Sequence, residues 1–300
     1  MTELAKHPST EPIGHMEFDM RRDGFVLYSS TSSMYTIDLK GKGIYQLTDF
    51  NGQSNTNITL ISSFAQLNRD WVLLIDIGNH CVKLMDRFKN TTEPFIGTCG
   101  LRGYRNGLFG DALFNYPYTI VPNPTRTEFF LTENYYIRRI EFHDIHRVYK
   151  QLAHEQHVIL GLAIDFYNGI GYYTTTYRLH KFLLATSENT ISQMKDAVGS
   201  GDRDGCLKKS KYNHPDDLAF LDSNTLLLND RKNLRLRVLN LKDGSSSSIC
   251  KNLKTDETVY GHFSECHLAI ASSLLPMPTE NKVLIGDKGS IVQLELQYSG

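Results

Sequence analysis

The chain has 300 residues, of which 40% are hydrophobic and 11% aromatic, enough to bury the core of two ordinary domains or of one large all-β domain. A formal net charge of −1 and a pI near 6.8 give no global attraction to nucleic acid or to anionic lipid. The longest apolar runs, such as Trp71 to Ile75, are about five residues against the roughly 18 to 20 of a membrane-spanning helix, so no membrane insertion is expected.

The first stretch, Met1 to Ile13, carries Lys6, His7 and two prolines without an apolar centre and does not read as a secretory signal. The expectation is therefore either a cytosolic protein or a signal lying outside this chain. After it, one pattern recurs six times: a short apolar run, a polar turn, and a strand with two apolar residues three apart. The runs are Phe25 to Tyr28, Trp71 to Ile75, Phe129 to Leu131, Tyr172-Tyr173, Leu226 to Leu228 and Val283 to Ile285. The pairs that follow them are Met34/Ile37, Val82/Met85, Ile137/Ile140, Leu179/Phe182, Leu236/Leu239 and Ile291/Leu294. Their spacing of about 42 to 57 residues suits one four-stranded blade per interval. The runs are short, rich in aromatic and β-branched residues, and bounded by Gly, Asn, Asp and Pro, which favours strands over helices. Residues three apart on a strand face opposite sides, so both faces of each sheet must be covered, as in stacked blades. The fold class expected is all-β, with blades at roughly 15–50, 58–100, 114–155, 158–198, 213–252 and 267–300.

The turns repeat too. Asp76-Ile-Gly-Asn79-His80-Cys81-Val82 matches Asp230-Arg-Lys-Asn233-Leu234-Arg235-Leu236, with Asp, Asn and the apolar anchor at the same offsets. Glu133 and Asp287 hold the acidic position in two shorter turns, while Ser30 and Thr175 replace it in the others. An acid here accepts backbone N–H groups and Asn tolerates a left-handed backbone, so Asp76, Asn79, Glu133, Asp230, Asn233 and Asp287 are expected to build turns. The connections Gly103-Tyr-Arg-Asn106-Gly107 and Gly201-Asp-Arg-Asp204-Gly205 each lead to a proline, Pro117 and Pro215. Phe114 and Tyr212, three residues before these prolines, are expected to anchor the crossing, with each proline opening an innermost strand. No helical run follows the glycines, so they are not phosphate cradles.

Five cysteines fit no metal spacing. Cys81 and Cys99 lie almost opposite each other across a turn at Lys89-Asn90, and Cys250 with Cys266 would staple a connecting loop, leaving Cys206 free; five reduced thiols are the alternative. Sequons at Asn57-Ile-Thr59 and Asn90-Thr-Thr92 fall in polar, turn-like stretches and are glycosylation candidates. The spacing of His143/His146 and His154/His157 splits each pair across a strand and argues against a paired metal site. The last unit, Ile270 through Leu296, has room for three strands but hardly a fourth. Either residues near Pro12 to Met20, or the polar segment 1–14 that precedes and overlaps them, supply the edge strand, or the chain is part of something longer.

On these residues the chain resembles the NHL-repeat family, whose Asn-His-Leu signature stands here as Asn79-His80-Cys81. The match covers Asp76 to Met85, Cys99-Gly100, Asn106-Gly107, Ala112, Phe114 and Pro117, and a second time Asp196 to Leu241. The resemblance implies a six-bladed β-propeller. It also implies a choice between extracellular modules, RNA-binding and ubiquitin-ligase proteins, and an amidating lyase with a metal in its central channel. Axial positions expected from the repeat are Asn115, Tyr116, Asp165, Asn168, His214 and Asp216, with the Ser272-Ser273 region; only His214 among them is a His. No catalytic set, metal or cofactor is expected. The leading reading is a monomeric, extracellular binding module for a protein or glycan. The alternatives are a cytosolic RNA- or protein-binding scaffold, with Arg102, Tyr104, Arg105, Arg203 and Lys208 to Lys211 as the basic and aromatic groups, and a metal-dependent lyase or lactonase.

Overall fold

The computed structural model describes residues 1–8, 11–49, 58–142, 147–154, 157–184, 192–193, 199–251 and 271–296. It is all-β: six small antiparallel sheets form the blades of a six-bladed β-propeller. The chain divides into two compact units, Gly14–Ile159 with Leu184–Thr190, and Met1–Ile13 with Leu160–Leu183 and Ile191–Gly300.

The first unit carries blades 1 to 3. Blade 1 runs Met16–Phe18, Phe25–Ser29, Ser33–Asp38 and Ile44–Asp49; blade 2 runs Ile61–Gln66, Trp71–Asp76, Cys81–Asp86 and Thr91–Ile96. Blade 3 runs Pro117–Pro122, Glu128–Glu133, Tyr136–Glu141 and Arg147–His154, and the short strand Gly107–Leu108 joins its outer edge. In the other unit, blade 4 is Ile159–Asp165, Ile170–Thr175, Leu179–Leu183 and Ser192–Gln193. Blade 5 is Pro215–Asp222, Thr225–Asp230, Arg235–Asn240 and Ser245–Lys251, with Gly205–Cys206 at its edge. Blade 6 is Ser273–Met277, Lys282–Asp287 and Ser290–Glu295. Its fourth strand is Thr2–Lys6, paired antiparallel to Ser290–Glu295. The stretch Pro12 to Met20 does not fill that place, because Met16–Phe18 pairs with Phe25–Ser29 and opens blade 1.

The two-faced apolar pairs pack as strand geometry requires. Val82 belongs to a core with Phe114, Ile120 and Phe129, whereas Met85 packs with Leu27, Met34 and Phe64. In blade 5, Leu236 joins Leu274, Val283 and Ile285, while Leu239 joins Tyr172, Leu179 and Leu207. Each such side chain contributes about 1.5–3 kcal/mol of burial, and one strand thereby cements two neighbours. Phe114 is fully buried, and Gly97, with φ +86°, lies so close that an added Cβ would sit 3.0 Å from its ring. The first strands of blades 2 and 3 lie against each other, as do those of blades 5 and 6.

Candidate binding surface

In blades 2, 3, 4 and 5 the end where the second strand turns into the third carries a repeated polar pair. Asp76 is fully buried and meets Lys83 at 3.1 Å, and Glu133 meets Arg138 at 2.7 Å. Asp230 meets Arg237 at 2.8 Å, and in blade 4 Thr175 Oγ1 lies 3.2 Å from His180 Nε2. The acids Asp76 and Asp230, expected to build turns, each accept a bond from an Asn side chain of their own turn. Asn79 Nδ2 donates to Asp76 at 2.8 Å and Asn233 Nδ2 to Asp230 at 2.9 Å. Their buried cations were missed, although a signal existed. Lys83, Arg138, His180 and Arg237 each follow the first member of the apolar pair, so a charged or polar residue stands inside an apolar strand.

These pairs also fasten the connections. Asn115 N–H donates to Glu133 at 2.8 Å and Asn213 N–H to Asp230 at 2.7 Å, two residues before Pro117 and Pro215. The Arg138 guanidinium lies 5.7 Å from the centre of the Phe114 ring and donates to the Arg105 carbonyl at 2.7 Å. Arg237 lies 5.7 Å from the centre of the Tyr212 ring and donates to the Lys211 carbonyl, to Asp202 at 2.8 Å and to Asp204. Burial pushes the Asp76 carboxyl up, but Thr59, Asn79 and Lys83 outweigh it and leave the group below the usual carboxylate range. In Asp230 burial wins over Asn213, Asn233 and Arg237, and in Glu133 it lifts the carboxyl to about 7 against the pull of Arg138.

Exposed groups collect on the connection that leads into blade 3. Tyr116 takes a left-handed backbone, φ 52°, and remains 42% exposed. Its N–H donates to His80 Nδ1 at 3.2 Å, and the two rings meet edge to face at 4.5 Å. Arg102 covers the same phenol ring at 5.9 Å from its centre. Tyr104, also 42% exposed, accepts from Asn115 Nδ2 at 2.6 Å and packs edge to face on Tyr136 at 4.7 Å. A disulfide joins Cys81 to Cys99 and ties the turn that carries His80 to the loop that carries Leu101 and Arg102.

The axial candidates separate. Asn115 and Tyr116 belong to the exposed group just described. Asp165 lies at the far end of its inner strand, where it accepts the N–H groups of Tyr167 and Asn168 and the Asn168 amide; it caps a hairpin and is not beside a strand start. Asp216 is buried, bonded by Asn229 Nδ2 at 2.7 Å and by Arg231 at 3.2 Å, and burial lifts its carboxyl to about 8. Its neighbour Asp217 is lifted by burial to about 7 and accepts the Leu274 N–H at 2.8 Å. His214 takes φ 57°, and its Nδ1 is buried without a hydrogen-bond partner among the described residues. Asp287 is fully buried and Ser273 begins blade 6.

Cys250 is disulfide-bonded as well, while Cys266 lies outside the described residues, and Cys206 is a free, exposed thiol. Of the sequons, Asn90 is exposed in a turn with φ 55°. Asn57 lies outside the described residues, and Thr59 gives its hydroxyl to Asp76 at 2.5 Å. His143 and His146 also lie outside them. Among the described residues no group of three or more His, Cys, Asp or Glu is arranged to hold a metal ion, and no helix is long and apolar enough to cross a membrane.

No protein-family model and no curated protein matches the chain. Solved structures match it in fold. An auxiliary nutrient binding protein from Bacteroides ovatus ATCC 8483 is 12% identical, with a TM-score of 0.70 over 95% of this chain and 70% of that one. An auxiliary nutrient binding protein from Bacteroides thetaiotaomicron VPI-5482 is 10% identical, with a TM-score of 0.71 over the same shares, 95% and 70%. A chain of a nidogen/laminin complex is 14% identical, with a TM-score of 0.58 over 80% of each chain. At these identities the likeness concerns the propeller fold.

Proposed function

We propose that the chain is a non-catalytic binding module, an NHL-type propeller that presents its connection loops to a protein or glycan in an oxidising, extracellular setting. The observation that carries this reading is the exposed group around Tyr104 and Tyr116. Its rings are held in place by hydrogen bonds, edge contacts and a nearby disulfide, yet remain open to solvent. Pre-ordered aromatic side chains lose little entropy on binding and supply large contact areas. The Cys81–Cys99 bond and the bonded Cys250 support an oxidising compartment. The binding roles of the two Bacteroides structural neighbours fit the same reading. By contrast, the strong acids of the blade turns are spent on buried cations and backbone N–H groups, which leaves them poorly placed for chemistry on a substrate.

The test is a purified-ligand screen of glycans and extracellular-matrix proteins with the wild-type protein and a Tyr104→Ala/Tyr116→Ala double variant of unchanged melting temperature. Ligand binding by the wild type and its loss in the variant are expected; absence of any ligand for the wild type would overturn the reading. The stack of Arg102 on Tyr116 also favours a second reading, single-stranded RNA binding. That reading requires affinity for an oligoribonucleotide falling steeply with salt.

A further inference from the structure

The geometry points to the Arg102–Tyr104–Tyr116–His80 group as a subsite for an anionic saccharide, one whose sugar ring carries a carboxylate. The inference rests on the binding-module reading above and names its ligand class. The chemistry on offer is one-sided. His80 Nδ1 accepts the Tyr116 N–H, so in the neutral ring the proton sits on Nε2, which is a donor. Burial, with Arg102 second, lowers the His80 pKa and keeps the ring neutral. Tyr104 Oη already accepts from Asn115, so its hydroxyl hydrogen is left to donate. Arg102 has no carboxylate partner among the described residues, and its guanidinium donates only.

The surface therefore presents donors, one uncompensated cation and partly open phenol rings. A neutral sugar offers hydroxyl acceptors but brings no charge to set against Arg102. A sugar carboxylate supplies acceptors in a fork that matches guanidinium, while the ring C–H face suits a phenol. Few cations also decide against a polyanion. Arg105, on the same connection, is tied through Nε to the Asp111 carbonyl at 2.5 Å. A nucleic-acid track needs about 6–10 phosphate contacts to bind tightly. An acidic peptide would offer carboxylates too, but not the flat C–H face that two tyrosines accommodate.

The disulfide fixes the relation between the parts. Cys81 is adjacent to His80, and Cys99 lies three residues before Arg102. Gly100 N–H also donates to the Asn79 carbonyl at 2.8 Å, across the same junction. Turn and loop thus hold both the imidazole and the guanidinium against Tyr116.

The experiment is calorimetric titration of the intact, oxidised chain with a galacturonic-acid tetrasaccharide, a galactose tetrasaccharide, a Glu-rich decapeptide and an oligoribonucleotide. Binding is expected for the uronate alone. Arg102→Gln and Tyr104→Ala should each weaken it at least about tenfold, a change of about 1.4 kcal/mol, while Tyr167→Ala, in the hairpin capped by Asp165, leaves it unchanged. His80, followed by NMR, should titrate at higher pH in the presence of the uronate, because the bound carboxylate favours its charged form. Uronate affinity that survives Arg102→Gln would overturn the subsite. If the peptide, the neutral sugar or the RNA binds through Tyr104 instead, the anionic-saccharide assignment falls and the binding-module reading stands. If no probe binds here and the ligand screen is empty too, both fall.

Discussion

The turns of blades 2 and 5 are the closest repeats in the chain, and their differences separate what the repeat builds from what one blade adds. Both place Asp and Asn at the same offsets, and both bury the Asp against a cation on the third strand. Blade 2 uses Lys83 against Asp76. Blade 5 uses Arg237, which gathers Asp230, Asp202 and Asp204 around one fully buried guanidinium. The residues between the shared ones diverge further. His80-Cys81 serves the exposed tyrosine and the disulfide, whereas Leu234-Arg235 stands in blade 5, where Arg235 pairs with Asp202. The common residues build the turn; the variable pair decides whether the turn also faces outward with chemistry.

The largest expected break of this comparison is Arg237→Ala. It leaves Asp230 buried without its cation and releases Asp202 and Asp204, and loss of one partner of a buried pair costs about 3–5 kcal/mol. The denaturation midpoint should fall accordingly. Lys83→Ala should cost less, because Thr59 and Asn79 still bond Asp76. Equal losses would show that the extra acids of blade 5 contribute nothing.

Next comes the outward pair. Replacing Cys81 and Cys99 together by Ala removes a cross-link over a sequence separation of 18 residues, worth about 3 kcal/mol. In blade 5 the matching change, Arg235→Ala, breaks a partly exposed ion pair of about 0–1 kcal/mol. Chemical denaturation under non-reducing conditions reads both, and similar losses would mean the disulfide acts no differently from a surface ion pair.

Much of this could be read from sequence, and the reason is periodicity. The apolar pairs three apart, the Asp–Asn frame and the Phe114 and Tyr212 anchors recur at fixed offsets, so strand count and turn position followed from repetition. Closure was legible only as a choice between the segment 1–14, which holds the closing strand, and Pro12 to Met20, which does not. Thr2–Lys6 carries no repeat mark, and its place as the fourth strand of blade 6 comes from backbone pairing with Ser290–Glu295, while the apolar Met16 went to blade 1. The exposed site was half legible. Asn115 and Tyr116 were singled out by their position before Pro117, and Arg102 and Tyr104 by composition, but their meeting with His80 depends on how two separate turns lie. Asp165 was misplaced because the two ends of an inner strand look alike in sequence, and only the hairpin bonds to Tyr167 and Asn168 tell them apart.

The blades also differ in the sign of their pH response. Asp76 lies below the ordinary carboxylate range, so its contribution is present above that range and is lost as pH falls through the folded value. Asp216 and Asp217 are lifted by burial to about 8 and about 7. Their contribution is complete below the unfolded carboxylate pKa of about 4 and is lost as pH rises through 7 to 8. Thermal melts should therefore decline between about pH 4 and about pH 8, and Asp216→Asn should flatten that decline while leaving the acid limb of Asp76 in place. A variant profile parallel to the wild type would show that Asp216 stays charged in the folded protein.

The smallest expected effect lies with the turn asparagines. Asn79→Ala removes the amide bond to Asp76, and Asn233→Ala removes one bond to Asp230 and a second, at 2.8 Å, to the Gly201 carbonyl. A hydrogen bond of this kind contributes about 1 kcal/mol net. Asn233→Ala should therefore cost about 1 kcal/mol for each of its two bonds. The loss should also appear as faster amide exchange in the connection around Gly201, since that is where the released carbonyl sits. Unchanged exchange at Gly201 would confine Asn233 to its own turn, and the fastening of the blade 5 connection would then rest on Arg237 and Asn213.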